Sequence, residues 1–277
     1  MRRTARSIAL HHVEIGKGRP IVMLHGLPAD HRLALHHLEP VFERRPGWRR
    51  IYLDLPGMGG SPIDDVASVD DMLEVVIDTI DALTGSSSFA ISGVSFGGHL
   101  ARGVLSRRAD RLDGLMLWAP SVWTDGRDAR LPPFEALVSD PDTVAAVGDD
   151  ERQWLGIAVI QAPDTLEAFR ASVKPGVLAA DIPALGSLAR PLSLSATNMT
   201  LAAPFARPSL ILTGRQDSEC GYLDAWDLLD DLPRATFATL DRAGHAVAAE
   251  RQALFRALVD DWLDRMEREV VVRSGGA

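Results

Sequence analysis

Three side chains far apart in this chain, Ser95, Asp217 and His245, have the types that nucleophilic acyl transfer requires. A serine hydroxyl is a weak nucleophile at neutral pH and needs an adjacent base, which in turn needs an acid to orient it. Ser95 lies in Gly93-Val94-Ser95-Phe96-Gly97, directly behind the apolar run Ser88-Phe89-Ala90-Ile91-Ser92. A short strand turning sharply through Gly-x-Ser-x-Gly into a helix presents the hydroxyl above the helix N-terminus, where the helix dipole favours developing negative charge. The pentapeptide alone carries little weight. Its partners add the rest: Asp217 falls in Thr213-Gly214-Arg215-Gln216-Asp217, and His245 in Ala243-Gly244-His245.

Those three residues must be placed by elements, and the sequence supplies them. Apolar runs at Pro20–Leu24, Arg50–Asp54, Leu115–Ala119, Pro208–Thr213 and Ala235–Leu240 read as strands, with Ser7–Ile15 as an N-terminal arm. Helical periodicity lies between them: Val69, Met72, Leu73, Val76, Ile80 and Leu83 make one apolar face, capped by Ser68 with Asp71. A last amphipathic helix carries Leu254, Phe255, Leu258, Val259, Trp262, Leu263 and Met266. Alternation of this kind predicts an α/β fold with a mostly parallel central sheet flanked by helices. Ser95, Asp217 and His245 each follow a strand, where open α/β sheets place their sites. From Ser121 to Ala203 the rhythm changes, with helical patches near Glu151–Ile160 and Asp164–Val173 interrupted by prolines and glycines. A segment that long is no ordinary connection. It reads as a helical cap, residues 121–203, inserted between core parts 1–120 and 204–277.

Order, type and position together give the chain a resemblance to the α/β-hydrolase superfamily along nearly its whole length. The matching motifs are His25-Gly26, Asp54-Leu55-Pro56-Gly57-Met58-Gly59-Gly60-Ser61, the Ser95 turn, Gly214-Arg215-Gln216-Asp217 and Ala243-Gly244-His245. The resemblance implies Ser95 as nucleophile, His245 as general base and then acid, and Asp217 as orienting acid. It also implies an oxyanion hole from the backbone N–H groups of Leu27 and Phe96. Such a donor contributes about 3 kcal/mol in the transition state. Epoxide hydrolases and haloalkane dehalogenases resemble the chain too, but they use an aspartate nucleophile where Ser95 stands. The expected reaction is hydrolysis of a carboxylic ester of a small organic molecule through an acyl-enzyme. Carbon–carbon cleavage of a diketone-like substrate stands second, then lactonase, amidase or perhydrolase activity. A non-catalytic ligand-binding fold is the reading from another class.

Blander roles stand beside these. Asp217 is open to replacement as the acid by Asp224 or Glu219. His25 belongs either to the oxyanion loop or to substrate binding, and Trp118, Trp123 and Trp154 to the pocket wall or simply to the core. His31, His36 and His37 have no metal-ligand spacing and read as decoration of a helix. His99 reads as packed and satisfied, and Cys220 as a small buried thiol or a reactive one near the site. Hydrophobic residues make up 46% of the 277 residues, enough for a sizeable core. The net charge of −9 disfavours nucleic acid and anionic membrane surfaces as partners. One cysteine fits a reducing cytoplasm, and the basic start lacks the apolar stretch of a secretory signal. No metal or organic cofactor is called for, a small-molecule substrate is the expected partner, and no membrane span is expected.

Overall fold

In the computed structural model, which describes residues 10–122 and 130–274, the apolar runs become strands. They are β1 (His12–Ile15), β2 (Arg19–Leu24), β3 (Trp48–Leu53), β4 (Phe89–Val94) and β5 (Leu112–Trp118). After a short pair, β6 (Val138–Ser139) and β7 (Ile160–Gln161), come β8 (Ser209–Gly214) and β9 (Ala235–Leu240). Seven of them form one sheet in the order β1-β3-β2-β4-β5-β8-β9. Only the β1–β3 pair is antiparallel. Every residue of β4 and of β8 is buried, as expected of parallel strands covered on both faces.

The two-residue period of the strands sorts side chains into two cores. Val22, Leu24, Ile91 and Leu115 join the apolar faces of α2 (Val69–Thr84) and α3 (Phe96–Arg108). Ile21, Met23, Ala90 and Met116 point the other way, to α1 (His31–Phe42) and α11 (Gln252–Ser274). Ser68 caps α2 by accepting the Asp71 N–H at 3.1 Å, and its hydroxyl donates back to that carboxylate at 2.9 Å. On α11 the buried stripe is Phe255, Val259, Trp262, Leu263 and Met266. Leu254, expected on that face, is exposed instead, because it lies a third of a turn off the stripe.

Between β5 and β8 lie α4 (Pro141–Ala145), α5 (Arg152–Ile157), α6 (Pro163–Ser172), α7 (Lys174–Ala179) and α8 (Ile182–Gly186). The sequence suggested no strands here, yet β6 and β7 pair in parallel. The prolines that look like interruptions start helices: Pro141, Pro163, Pro175 and Pro183 each occupy the first turn of one. Proline is pre-organised for that position and has no N–H to leave unbonded. After β8 comes the short α9 (Leu223–Trp226) and after β9 α10 (Val247–Glu250); helix α6 packs against α1 and α10, which fixes the inserted segment over the strand ends. No helix among the described residues is long and apolar enough to cross a membrane.

Candidate active site

Ser95 follows β4 and precedes α3 with φ 52° and ψ −121°, a left-handed conformation that a non-glycine residue adopts only under constraint. The constraint is steric. A Cβ on Gly93 would lie 2.4 Å from the Gly97 carbonyl oxygen, and one on Gly97 would lie 2.3 Å from that of Leu24. The turn can therefore pack against β2 and α3 only with glycine at both positions. Ser95 N–H donates to the Trp118 carbonyl at 3.2 Å, tying the turn to the end of β5.

Asp217 and His245 leave the ends of β8 and β9 and meet. The fully buried Asp217 carboxylate has His245 Nδ1 3.1 Å from Oδ2, while Oδ1 accepts the N–H groups of Glu219 and Cys220 at 2.9 Å each. The other carboxylates weighed for this place are elsewhere: Asp224 pairs with Arg130 at 2.7 Å, and Glu219 stands on a cavity wall. Burial by itself would lower the His245 pKa. The Asp217 carboxylate, with Cys220 beside it, outweighs that and holds it well above the ordinary histidine value.

Ser95 Oγ does not hydrogen-bond His245. Its neighbour is Cys220 Sγ at 4.0 Å, and the same thiol contacts the imidazole. Cys220 thus touches all three members of the constellation, through its backbone N–H to Asp217 and its thiol to the other two. From the sequence Cys220 reads as a small buried thiol or a reactive one near the site. The only signal was its place three residues beyond Asp217.

Neither the Leu27 N–H nor the Phe96 N–H has an acceptor among the described residues, and both residues line the cavity beside Ser95. His25, considered for substrate binding, does not reach that cavity. Its buried ring donates from Nδ1 to the Gly26 carbonyl at 2.8 Å and accepts the Leu55 N–H at Nε2 at 2.9 Å, bracing the loop from beneath. Burial keeps this ring neutral by lowering its pKa. A second brace was not foreseen. The buried Asp54 carboxylate accepts His11 Nδ1 at 2.7 Å, the His31 N–H and Nδ1 at 2.8 Å each, and the Gly60 N–H at 2.9 Å. Burial would raise the Asp54 pKa, but His31 and the backbone donors hold it well below the carboxylate range. Among the described residues this trio has the atoms for a metal ion, all within 4.8 Å of one another. Its hydrogen bonds already account for the arrangement, since both imidazoles act as donors to the carboxylate.

The cavity over the strand ends has a volume of about 850 Å³ and is walled by core and inserted segment together. Ser95, Phe96, Trp118 and His245 come from the core, and Trp154 and Phe169 from α5 and α6. Trp118 and Trp154 therefore lie where a pocket wall requires. Trp123 falls outside the described residues. Arg190 and Glu219 are the formally charged side chains on the described wall, the rest being mostly apolar. His99 is not on it; it is a packed, buried histidine whose Nε2 accepts the Leu194 N–H at 2.9 Å. Glu250 was also not foreseen. Its half-buried carboxylate accepts the Gly244 N–H at 2.6 Å and those of Val159 and Ile160 at 2.6 and 3.1 Å, joining the inserted segment to the His245 loop. Burial raises its pKa against the pull of those three bonds.

Residues 19–252 match the α/β hydrolase fold family, and the chain belongs to it. It is 28% identical over 259 residues to the 2-succinyl-6-hydroxy-2,4-cyclohexadiene-1-carboxylate synthase of Salmonella typhimurium, covering 87% of this chain and 94% of that one. It is 26% identical over 277 residues to the pimeloyl-[acyl-carrier protein] methyl ester esterase of Shewanella woodyi, covering 94% and 99%. Among solved structures, an α/β superfamily hydrolase from Oenococcus oeni superposes with a TM-score of 0.85 at 27% identity, over 96% of this chain and all 100% of that one.

Proposed function

We propose that the protein is a serine hydrolase that cleaves a carboxylic ester of a small, largely uncharged organic molecule, with Ser95, His245 and Asp217 as its triad. The observation that carries this reading is the hydrogen-bonded Asp217–His245 pair, whose imidazole opens onto the same mostly apolar cavity as the strained Ser95. Ser95 Oγ attacks the ester carbonyl while His245 Nε2 takes its proton, and Asp217 keeps the imidazole proton on Nδ1. The serine must turn from Cys220 to His245 for this step, and χ1 is the torsion it has available. Substrate binding tightens contacts that are loose in an empty site. The oxyanion is held by the N–H groups of Leu27 and Phe96, the alcohol leaves with the proton from His245, and water repeats the sequence on the acyl-enzyme. Residues 121–203 act as the cap that selects the substrate.

The esterase relative supports an ester as substrate. Beside the second reading from the sequence, in which the triad acts at a carbon–carbon bond, stands the synthase relative. The carboxylate in its product's name would find one formally cationic side chain on the described wall, Arg190, in a lining that is otherwise mostly apolar, and such a lining favours the neutral ester. A panel of p-nitrophenyl esters from acetate to octanoate, assayed beside a vinylogous diketone, separates the two. Ester turnover is expected, rising with chain length into the cavity; turnover of the diketone alone would overturn the ester reading.

The pH profile tests the base. Only unprotonated His245 can accept the serine proton, so activity is lost as pH falls through its pKa. The sequence alone suggests a limb near pH 6, from an ordinary histidine of about 6.5. With that pKa raised by Asp217 and Cys220, the acid limb of kcat/KM is expected above pH 6.5. Replacing the thiol in Cys220→Ala should move it down. A limb at or below pH 6 in the unaltered enzyme would contradict the assignment.

A further inference from the structure

The His37 imidazole is a buried polar group that the triad does not use. It lies on α1, is 4% exposed, and forms part of the wall of the cavity that Ser95 opens onto. Its neighbours are rings: Trp118 edge-on at 6.0 Å and His36 edge-on at 4.9 Å. Nδ1 is shut off from solvent without a hydrogen-bond partner, and neither ring nitrogen has one among the described residues. Of the other buried imidazoles, His25 has both ring nitrogens hydrogen-bonded to backbone and His99 has its Nε2 so bonded. Buried polar side chains are paired in the large majority of cases, so an imidazole that lines a cavity with neither ring nitrogen paired calls for a ligand. Burial, with His36 and Arg256 nearby, brings the His37 pKa down to about 3, so the ring is neutral at working pH. A neutral imidazole offers one donor and one acceptor, which suits a carbonyl or hydroxyl and gives an anion no countercharge. Trp118 links this ring to the nucleophile: its indole packs on His37 while its carbonyl accepts the Ser95 N–H.

We propose that His37 is a polar subsite in the apolar cavity and hydrogen-bonds an uncharged oxygen function, a ketone or hydroxyl, that the substrate carries in addition to its scissile ester. The substrate would then be an oxo- or hydroxy-substituted ester rather than a plain alkyl one. Its role in turnover rests on the ester-hydrolase reading, but its role in binding does not. The test compares the p-nitrophenyl esters of 4-oxopentanoate, 5-oxohexanoate and 6-oxoheptanoate with their alkyl parents. At least one oxo ester should exceed its parent about tenfold in kcat/KM, chiefly through KM, as a net hydrogen bond allows. In His37→Phe that ratio should fall to about one, and His37→Gln, which keeps a donor and an acceptor, should restore part of it. Equal ratios throughout, or a preference that survives His37→Phe, would overturn the proposal.

A binding arm keeps it separate from the chemistry. Binding of 4-phenyl-2-butanone and of butylbenzene is read by tryptophan fluorescence in the wild type and in both variants. The ketone should bind about tenfold more tightly to wild type than to His37→Phe, with no such difference for the hydrocarbon. In the wild-type protein alone, ¹⁵N-histidine NMR should show a His37 ring nitrogen shifting with the ketone and not with the hydrocarbon. If esters are not hydrolysed but the ketone effect is present, the ester reading fails and the subsite stands. If the NMR shift and the binding difference are both missing, the subsite fails whatever the enzyme hydrolyses.

Discussion

Ser95→Ala is expected to fold as the wild type does and to lose about 10⁶-fold in kcat, the scale on which removing a triad serine acts. The folding half of that expectation follows from the backbone. Alanine meets the same left-handed strain at φ 52° as serine, so the substitution adds none. What it removes is a hydroxyl whose neighbour is the Cys220 thiol at 4.0 Å, a weak contact at most. Its melting temperature should therefore stay close to that of the wild type. The catalytic half follows from place: of the hydroxyls on the described cavity wall, only that of Ser95 stands on the sharp turn between β4 and α3. A fluorophosphonate probe should label the wild type at Ser95 and leave the variant unlabelled. The neighbouring thiol gives this experiment a definite alternative. If Ser95→Ala kept substantial activity, and iodoacetamide then removed it, the nucleophile would be Cys220 with the same base.

The elements of this fold are written plainly in the chain because parallel strands buried on both faces must be continuous apolar runs. The runs that form Phe89–Val94 and Ser209–Gly214 read as strands for that reason, every residue of each strand being buried. The proposed triad is legible through chain order, since Ser95, Asp217 and His245 each follow a strand. The arrangement between them was not. Whether Ser95 Oγ meets His245 or Cys220 is decided by one side-chain torsion and by a residue three positions past Asp217, and no periodicity reports on either. Likewise the clamp on Asp54 joins residues 43 and 23 positions away in the sequence, and Glu250 reaches across 91 positions to Val159. Such contacts depend on how loops return over the strand ends. In the inserted segment, turns of helix as short as Ile182–Gly186 leave no room for a periodic signal, so the prolines were the informative residues. They mark beginnings there, not breaks.

Asp217→Asn should leave the fold intact and lower kcat by about 10⁴-fold, the scale known for this exchange in a serine triad. The hydrogen bonds around the carboxylate dictate why. Oδ1 accepts two backbone N–H groups, from Glu219 and Cys220, at 2.9 Å each. In the asparagine variant the amide oxygen must take that position, because an NH₂ there would face two donors. The NH₂ is then forced to face His245 Nδ1, where Oδ2 stood at 3.1 Å. Nδ1 must accept that bond, so the imidazole proton moves to Nε2, the nitrogen that has to receive the proton of Ser95. The base is left in the wrong tautomer with its position unchanged. The backbone bonds that hold the loop survive, so thermal stability should change little while turnover collapses. The same exchange removes the carboxylate that holds the histidine pKa up, so any residual activity should show its acid limb at lower pH. Loss of less than about tenfold would show that Asp217 does not orient the base, and Glu219, which shares the cavity wall with His245, would be the carboxylate to replace next.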